Sequence, residues 1–339
     1  MAASASVVAE RLLGGLRKII VGQEQPIFAL QLALLSQGHA LLEGVPGTAK
    51  TLIVRVLAIL LGADFRRIQF TPDLMPSDVV GTTVFNPKTG EFFTRRGPIF
   101  TNLVLADEIN RTPPKTQSAL LEAMEEGQVT IDGVSMPLPS LFMVCATQNP
   151  IEYEGTYPLP EAQLDRFIVK ARTSYPETLE ERNLIERVAR GFDSRKLERE
   201  GITAVVTEAE VEAARQDVRA VHVSPGLQGY VHDIVTQTRT APDVSLGASP
   251  RAGIQLLVAS QAAAAIDGRD FATPDDVKSV APLVLPHRIL VKPEAEVEGL
   301  LSDDVVKRIL DTVPVPKDAQ PEQPAAPAAG TAAASPSPA

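Results

Sequence analysis

One short segment constrains the fold of this chain more than any other. An apolar stretch at residues 39–42 leads into a glycine-rich loop, and a helix-like run at residues 52–61 follows directly. The loop reads Gly44, Val45, Pro46, Gly47, Thr48, Ala49, Lys50 and Thr51. A strand, a glycine-rich loop and a helix in this order are the setting of a phosphate-binding loop. The segment therefore predicts an α/β domain that binds a nucleotide phosphate.

Each residue type in the loop has a chemical reason. Gly44 and Gly47 let the backbone turn so that its N–H groups face phosphate oxygens, and the N-terminus of the following helix adds a favourable potential. Lys50 is placed to reach the β- and γ-phosphates, and the hydroxyl of Thr51 can coordinate Mg²⁺. Ala49 stands where the general pattern has a second glycine. For the loop taken alone, a glycine–proline turn with an exposed lysine therefore remains the alternative.

Two carboxylates follow a second apolar run. Residues 103–106 are Leu, Val, Leu and Ala, and Asp107 and Glu108 come next. Asp107 would hold Mg²⁺, directly or through water, and Glu108 would orient and activate the attacking water. Such a pair is usually only a solvated turn, but its place downstream of a phosphate loop favours the binding interpretation.

A third polar residue, Asn149, stands just beyond the apolar run at residues 141–146. Ligands of open parallel sheets collect at the carboxyl ends of the strands. We therefore expect Lys50, Asp107 and Asn149 to share one rim, where Asn149 can hydrogen-bond a γ-phosphate or the attacking water. Taken alone, an Asn-Pro pair is most often a turn.

The chain divides by pattern into two halves and a tail. The first half alternates helical patterns with continuous apolar runs, which are typical of parallel strands covered on both faces. The second half is helical, with capping signals at Thr207, Ser224, Ser249 and Thr273. We expect a nucleotide-binding domain over residues 1–172, a helical lid over 173–312 and a disordered Pro/Ala-rich tail over 313–339.

Composition narrows the class of partner and the compartment. The formal net charge is −10, which argues against a dominant nucleic-acid surface. The chain has one cysteine, Cys145, which fits a reducing compartment. No apolar run approaches the length of a membrane span, and the first residues lack the pattern of a secretory signal. We therefore expect a cytoplasmic protein with no membrane span.

In combination, these motifs resemble the MoxR family of AAA+ ATPases over residues 10–311, nearly the whole folded chain. Alanine before the loop lysine is usual in that family, so Ala49 no longer counts against the loop. The resemblance implies a P-loop NTPase (AAA+) parallel-sheet domain followed by an all-helical lid domain. The residues that carry it are the run Val-Gly-Gln-Glu at 21–24, the phosphate loop, Ala-Asp-Glu-Ile-Asn-Arg at 106–111, Thr-Gln-Asn-Pro at 147–150, and Leu-Pro-Glu-Ala-Gln-Leu-Asp-Arg-Phe at 159–167.

The resemblance also implies roles that the residues alone do not assign. Val21 and Gly22 are similar to the segment near the adenine, Arg166 to an arginine finger that reaches a neighbouring subunit, and Arg251 to the lid arginine called sensor 2. The expected cofactors are ATP and Mg²⁺, and the expected assembly is a ring, with six subunits as the expected number. Catalysis would rest on Glu108, Asn149, Arg166 and Arg251, with Thr51 and Asp107 as metal ligands.

Three functions follow as alternatives. The first is a MoxR-type chaperone that assembles or activates protein complexes with a partner containing a von Willebrand factor A domain. The second is the ATPase subunit of a metal chelatase. The third is a nucleic-acid motor or regulator, for which an added DNA-binding domain or a basic stripe would be needed, and we find neither.

Two insertions typical of the family's clade are predicted as hairpins. The first turns at residues 86–91 and carries Phe92 and Phe93, for which local packing is favoured over contact with a client. The second spans residues 128–139 and turns at Asp132-Gly133. The helix between them carries three glutamates that we expect on its solvated face: Glu122, Glu125 and Glu126.

Overall fold

A five-stranded parallel sheet forms the centre of the first domain in the computed structural model, which describes residues 4–149 and 155–316. The strands are β1 (Ala40–Gly44), β2 (Phe65–Gln69), β5 (Leu103–Asp107), β8 (Met143–Gln148) and β9 (Val169–Thr173). Their order in the sheet is β2-β5-β8-β1-β9, and every neighbouring pair is parallel. The apolar runs predicted at residues 39–42, 103–106 and 141–146 each supply one of these strands.

Helices cover both faces of this sheet, which explains why its strands are continuously apolar. Alternate residues of one strand enter different clusters: Leu103 and Leu105 pack with the first three helices, whereas Val104 and Ala106 pack with the fifth. The helices are α1 (Ala5–Ile19), α2 (Glu24–Leu35), α3 (Lys50–Leu60), α4 (Pro76–Val80), α5 (Pro114–Glu126) and α6 (Glu161–Leu164).

Both predicted hairpins are present. The first joins β3 (Gly81–Asn86) to β4 (Glu91–Arg96), and the second joins β6 (Gln128–Ile131) to β7 (Val134–Pro137). The preference for local packing of Phe92 and Phe93 is only partly right. Phe92 contacts Phe85 across the strands, with ring centroids 5.1 Å apart, yet its side chain is 73% exposed and Phe93 is half exposed.

The second half is helical, as predicted, with a short two-stranded ribbon that the sequence pattern did not indicate. The hydroxyl groups of Thr207, Ser224 and Ser249 accept hydrogen bonds from backbone N–H groups in the first turns of their helices, as the capping patterns predict. The helices are α7 (Thr178–Ala189), α8 (Glu208–Ala220), α9 (Pro225–Thr240), α10 (Pro250–Ile266), α11 (Pro274–Val284), α12 (Pro293–Val297) and α13 (Ser302–Thr312), and the ribbon strands are β10 (Val244–Leu246) and β11 (Leu290–Val291).

One apolar cluster runs from α1, α2 and α3 into the lid helices α8 to α11, so the two halves share a core. We keep the division between residues 172 and 173 as a proposal. Val313, the first residue assigned to the tail, is buried in this core, and residues 317–339 of that tail lie outside the described residues. Within the described ranges, no helix is long and apolar enough to cross a membrane.

Candidate nucleotide-binding site

The strand order brings three predicted site segments together. β8 lies between β5 and β1, so the residues that follow these strands meet at the same edge of the sheet. A cavity of about 350 Å³ opens there, lined by residues 46–52, by Asp107 and Glu108, and by residues 147–149. This cavity therefore brings together Lys50, Asp107 and Asn149, as expected from their positions after the strands, and also Thr51 and Glu108.

The backbone of the loop requires its small residues. A Cβ atom on Gly44 would lie 2.2 Å from Thr173 Oγ1 and 2.4 Å from the Thr173 carbonyl oxygen, so no side chain fits beside β9. Gly47 and Ala49 have φ values of 83° and 62°, in the left-handed region. The N–H groups of these two residues donate to no acceptor within residues 4–149 and 155–316. They remain available to an anion in the cavity.

Lys50, at the end of the loop, donates hydrogen bonds to the start of the loop. Its Nζ donates to the carbonyl oxygens of Gly44, at 2.5 Å, and Val45, at 2.8 Å. Burial lowers the pKa of Lys50 from its ordinary value, and the negative charges of Asp107 and Glu108 oppose that lowering. A half-buried ammonium group of this kind is stabilised when an anion enters the cavity beside it.

Thr147 couples the two carboxylate residues. Its hydroxyl donates to Asp107 Oδ1 at 2.6 Å and accepts from the Glu108 N–H at 2.9 Å. Glu108 has a left-handed backbone, with φ of 58°, at the turn after β5. This hydroxyl therefore holds the Asp107 carboxylate and the turn that directs Glu108, a role that the sequence pattern did not assign.

Polar residues on β2 also reach the carboxylates. Gln69 pairs in register with Asp107, and Arg67 stands two residues earlier on the same face of the strand. Arg67 donates to Asp107 Oδ2 from Nε at 2.9 Å and from Nη2 at 2.6 Å, and Gln69 donates to Glu108 Oε2 at 2.8 Å. Arg111 adds a contact of 3.0 Å to the same oxygen of Glu108. Sequence reasoning missed these residues, because their contacts depend on β2 lying beside β5.

The cavity fits a nucleotide phosphate with a hard cation. Its lining combines the N–H groups of the loop and the Lys50 ammonium group with the Thr51 hydroxyl and two carboxylates. Mg²⁺ prefers such oxygen ligands and is usually shared between one or two carboxylates and substrate phosphates. Thr51 and Asp107 are the residues that would hold it.

Comparison with known proteins agrees with this geometry. Residues 39–169 match the family model described as "ATPase family associated with various cellular activities (AAA)", and residues 236–309 match the AAA lid domain. The chain is 43% identical to the chaperone MoxR1 of Mycobacterium tuberculosis over 329 residues, which cover 93% of this chain and 84% of that one. This chain belongs to the MoxR family of AAA+ ATPases. It binds and hydrolyses ATP, as the resemblance implied.

Other proteins are similar to this MoxR-family ATPase to different degrees. It is 49% identical over 301 residues to the protein YeaC of Bacillus subtilis, covering 89% of this chain and 92% of that one. A solved structure from Cytophaga hutchinsonii superposes with a TM-score of 0.84 at 41% identity, covering 92% of this chain and 96% of that chain. The magnesium-chelatase subunit ChlI of Chlorella vulgaris is more distant, at 27% identity over 278 residues.

Six predicted site residues of this MoxR-family chain do not line the loop cavity. Two of them, Gly44 and Val45, stand at the start of the loop, and their carbonyl oxygens accept from Lys50 Nζ. Val21 and Gly22 lie beside the start of the lid, where a Cβ on Gly22 would meet Glu180 Oε2 at 2.2 Å. Arg166 and Arg251 lie together instead, and both contact Glu125 on α5. The roles of these residues therefore stay predictions, and Glu125 is not the purely solvated residue that its helix pattern indicated.

Proposed function

We propose that this ATPase is a chaperone-like remodeller that works as a ring, with Arg166 of one subunit completing the site of the next. The observation that carries the proposal is the position of Arg166 and Arg251. Both side chains are partly exposed, and both form an ion pair with the same carboxylate, Glu125. Neither lines the cavity formed by the phosphate loop of its own subunit. Cationic groups with this placement suit the phosphate of a neighbouring subunit.

Within one subunit, the cavity residues divide the chemistry of hydrolysis. Lys50 and the loop N–H groups bind the phosphates and stabilise the charge that develops on their oxygens. Glu108 orients the attacking water and accepts its proton, while Asn149 hydrogen-bonds the γ-phosphate or that water. Thr51 and Asp107 would hold Mg²⁺, which would supply additional positive charge for phosphoryl transfer.

Mixing two inactive variants tests the ring. Arg166→Ala removes the finger and Lys50→Ala removes the loop cation, so each variant alone should show little turnover. In an equal mixture, about one interface in four pairs an intact finger with an intact loop, since ring contacts are head to tail. We expect ATPase activity to return to a measurable fraction of the wild-type rate in a steady-state assay.

A second mixture is the matched control. Lys50→Ala and Glu108→Gln both damage the same cavity, so no interface in their mixture contains one intact site, and activity should stay low. Equal recovery in both mixtures, or full activity of strictly monomeric protein, would contradict the arrangement between subunits.

For the client, we propose a protein with a von Willebrand factor A domain, or the complex to which it belongs, in the cytoplasm. The net charge of −10 opposes a nucleic-acid surface. The first hairpin offers exposed Phe92 and Phe93 beside Arg95 and Arg96, which suits an acidic protein surface with apolar patches.

Capture by the ATP-bound Glu108→Gln variant tests this client. We expect it to retain a purified von Willebrand factor A-domain protein, and retention should be lost when ATP is omitted. DNA and RNA should leave the ATPase rate unchanged at moderate salt. Strong stimulation by nucleic acid with a steep salt dependence would indicate a motor instead, and stimulation only by a porphyrin-chelatase partner would indicate a chelatase subunit.

A further inference from the structure

Glu125 joins the two arginines that stand outside the loop cavity. It lies near the C-terminal end of α5, and its side chain is 40% exposed. Oε1 accepts from Arg251 Nη1 at 3.2 Å, and Oε2 accepts from Arg166 Nη1. The same Arg166 nitrogen also donates to the Leu121 carbonyl oxygen at 3.1 Å. Residues of α5 thus bind the guanidinium groups of two arginines that come from different parts of the fold.

The backbones of the two arginines are tied together as well. Asp165, which precedes Arg166, accepts from Arg288 Nε at 2.7 Å and from the Ser249 hydroxyl at 3.0 Å. Ser249 is also the N-cap of α10, whose first turn carries Arg251. The hydrogen bond between Ser249 and Asp165 therefore fixes the backbone segments that carry the two arginines. Glu125 fixes their guanidinium groups.

Charge favours a carboxylate between the two arginines. Burial lowers the pKa of Arg166 from its ordinary value, and the positive charge of Arg251 adds to that lowering, while Glu122 opposes it. Two cations at close range repel each other, and a carboxylate between them offsets the repulsion. Among the hydrogen bonds of the described residues, Arg166 and Arg251 use only Nη1. Their Nη2 groups remain as donors for an external anion.

We propose that Glu125 is a positioning residue for hydrolysis, which holds Arg166 and Arg251 side by side so that both donate to one phosphate of a neighbouring subunit. This inference rests on the proposed arrangement between subunits. Glu125 touches neither ATP nor water in this role and acts only through the two guanidinium groups. Its loss should therefore slow turnover without weakening the binding of ATP in the subunit's own cavity.

The test is Glu125→Gln, which keeps the size of the side chain and removes its charge. We expect kcat to fall roughly 10-fold, since loss of orientation at a positioned group costs up to about 10²-fold. The KM for ATP, the melting temperature and the ring size should stay at their wild-type values. The matched control is Glu212→Gln on α8, because Glu212 also bridges two arginines, Arg215 at 3.6 Å and Arg219 at 3.8 Å, away from the cavity. Its kcat should be unchanged.

A double-mutant cycle shows whether Glu125 acts through the finger. In an Arg166→Ala background, Glu125→Gln should lower kcat less than about threefold, because one of its two partners is already gone. A wild-type or higher kcat in Glu125→Gln, or an equal fall in both backgrounds, would overturn the role of Glu125 while leaving the proposed ring intact. Full turnover of Arg166→Ala by itself would overturn the arrangement between subunits, and the role of Glu125 with it.

Discussion

Glu108→Gln should bind ATP as tightly as the wild type and hydrolyse it roughly 10²–10⁴-fold more slowly, the range that a general base contributes. The amide keeps the shape of the side chain and its contact with Gln69, but it cannot accept a proton from water. The Glu108 N–H still donates to Thr147, so Asp107 and the turn after β5 keep their geometry. Single-turnover hydrolysis and a nucleotide-binding titration measure the two effects separately.

A second carboxylate provides the comparison for this variant. Glu186 pairs with Arg190 on the surface of α7 at 2.5 Å, much as Glu108 pairs with Arg111. Glu186→Gln removes the same charge from a similar ion pair far from the cavity, and its turnover should match the wild type. Rapid hydrolysis by Glu108→Gln would show that another group activates the water, and the assignment of Glu108 would have to be abandoned.

The cavity could be predicted from sequence because its residues are tied to strand ends. Lys50, Asp107 and Asn149 each follow a continuous apolar run, and the carboxyl ends of parallel strands share an edge whatever the strand order. No local sequence pattern predicts the strand order β2-β5-β8-β1-β9 itself. The contacts of Arg67 with Asp107 depend on β2 lying beside β5, so they became visible only in the structure.

Glu125 shows a different limit of sequence reasoning. Its helix pattern indicates a solvated face, because Glu122, Glu125 and Glu126 have the i, i+3, i+4 spacing of residues on one side of a helix. Its partners lie 41 and 126 positions away along the chain. Only the tertiary fold brings Arg166, from the first domain, and Arg251, from the lid, to this carboxylate. Helical periodicity reports which face is apolar, and it cannot report which charged residue of another element meets the polar face.

The prediction of local packing for the hairpin phenylalanines was only partly right, for a related reason. A Phe-Phe pair in a short strand usually indicates packing, because aromatic side chains bury a large apolar area. The hairpin of β3 and β4 forms a two-stranded sheet of its own, and Phe92 on it is 73% exposed. The result is an exposed aromatic group that only the tertiary placement of the hairpin could reveal.

Lys50→Ala should lose nucleotide binding, with an affinity for ATP lower by on the order of 10²-fold or more. A hydrogen bond to a charged group contributes about 1.5–3 kcal/mol, and Lys50 is positioned for the β- and γ-phosphates together. The folded protein should be little affected. The Thr48 hydroxyl still donates to the Val45 carbonyl oxygen at 2.9 Å, so the turn of the loop keeps a hydrogen bond that does not involve Lys50. Binding measured by titration should therefore fall while the melting temperature without nucleotide changes by only a few degrees.

Lys307→Ala separates the role of Lys50 from a general loss of positive charge. Lys307 is exposed on α13, outside the cavity, and its removal changes the net charge by the same amount. Electrostatic attraction of ATP to the whole molecule would weaken equally in both variants, whereas a direct phosphate contact is lost only with Lys50. Wild-type affinity in Lys50→Ala would mean that the loop is a glycine–proline turn with an exposed lysine. Loss of affinity in Lys50→Ala alone places the phosphates against this one ammonium group.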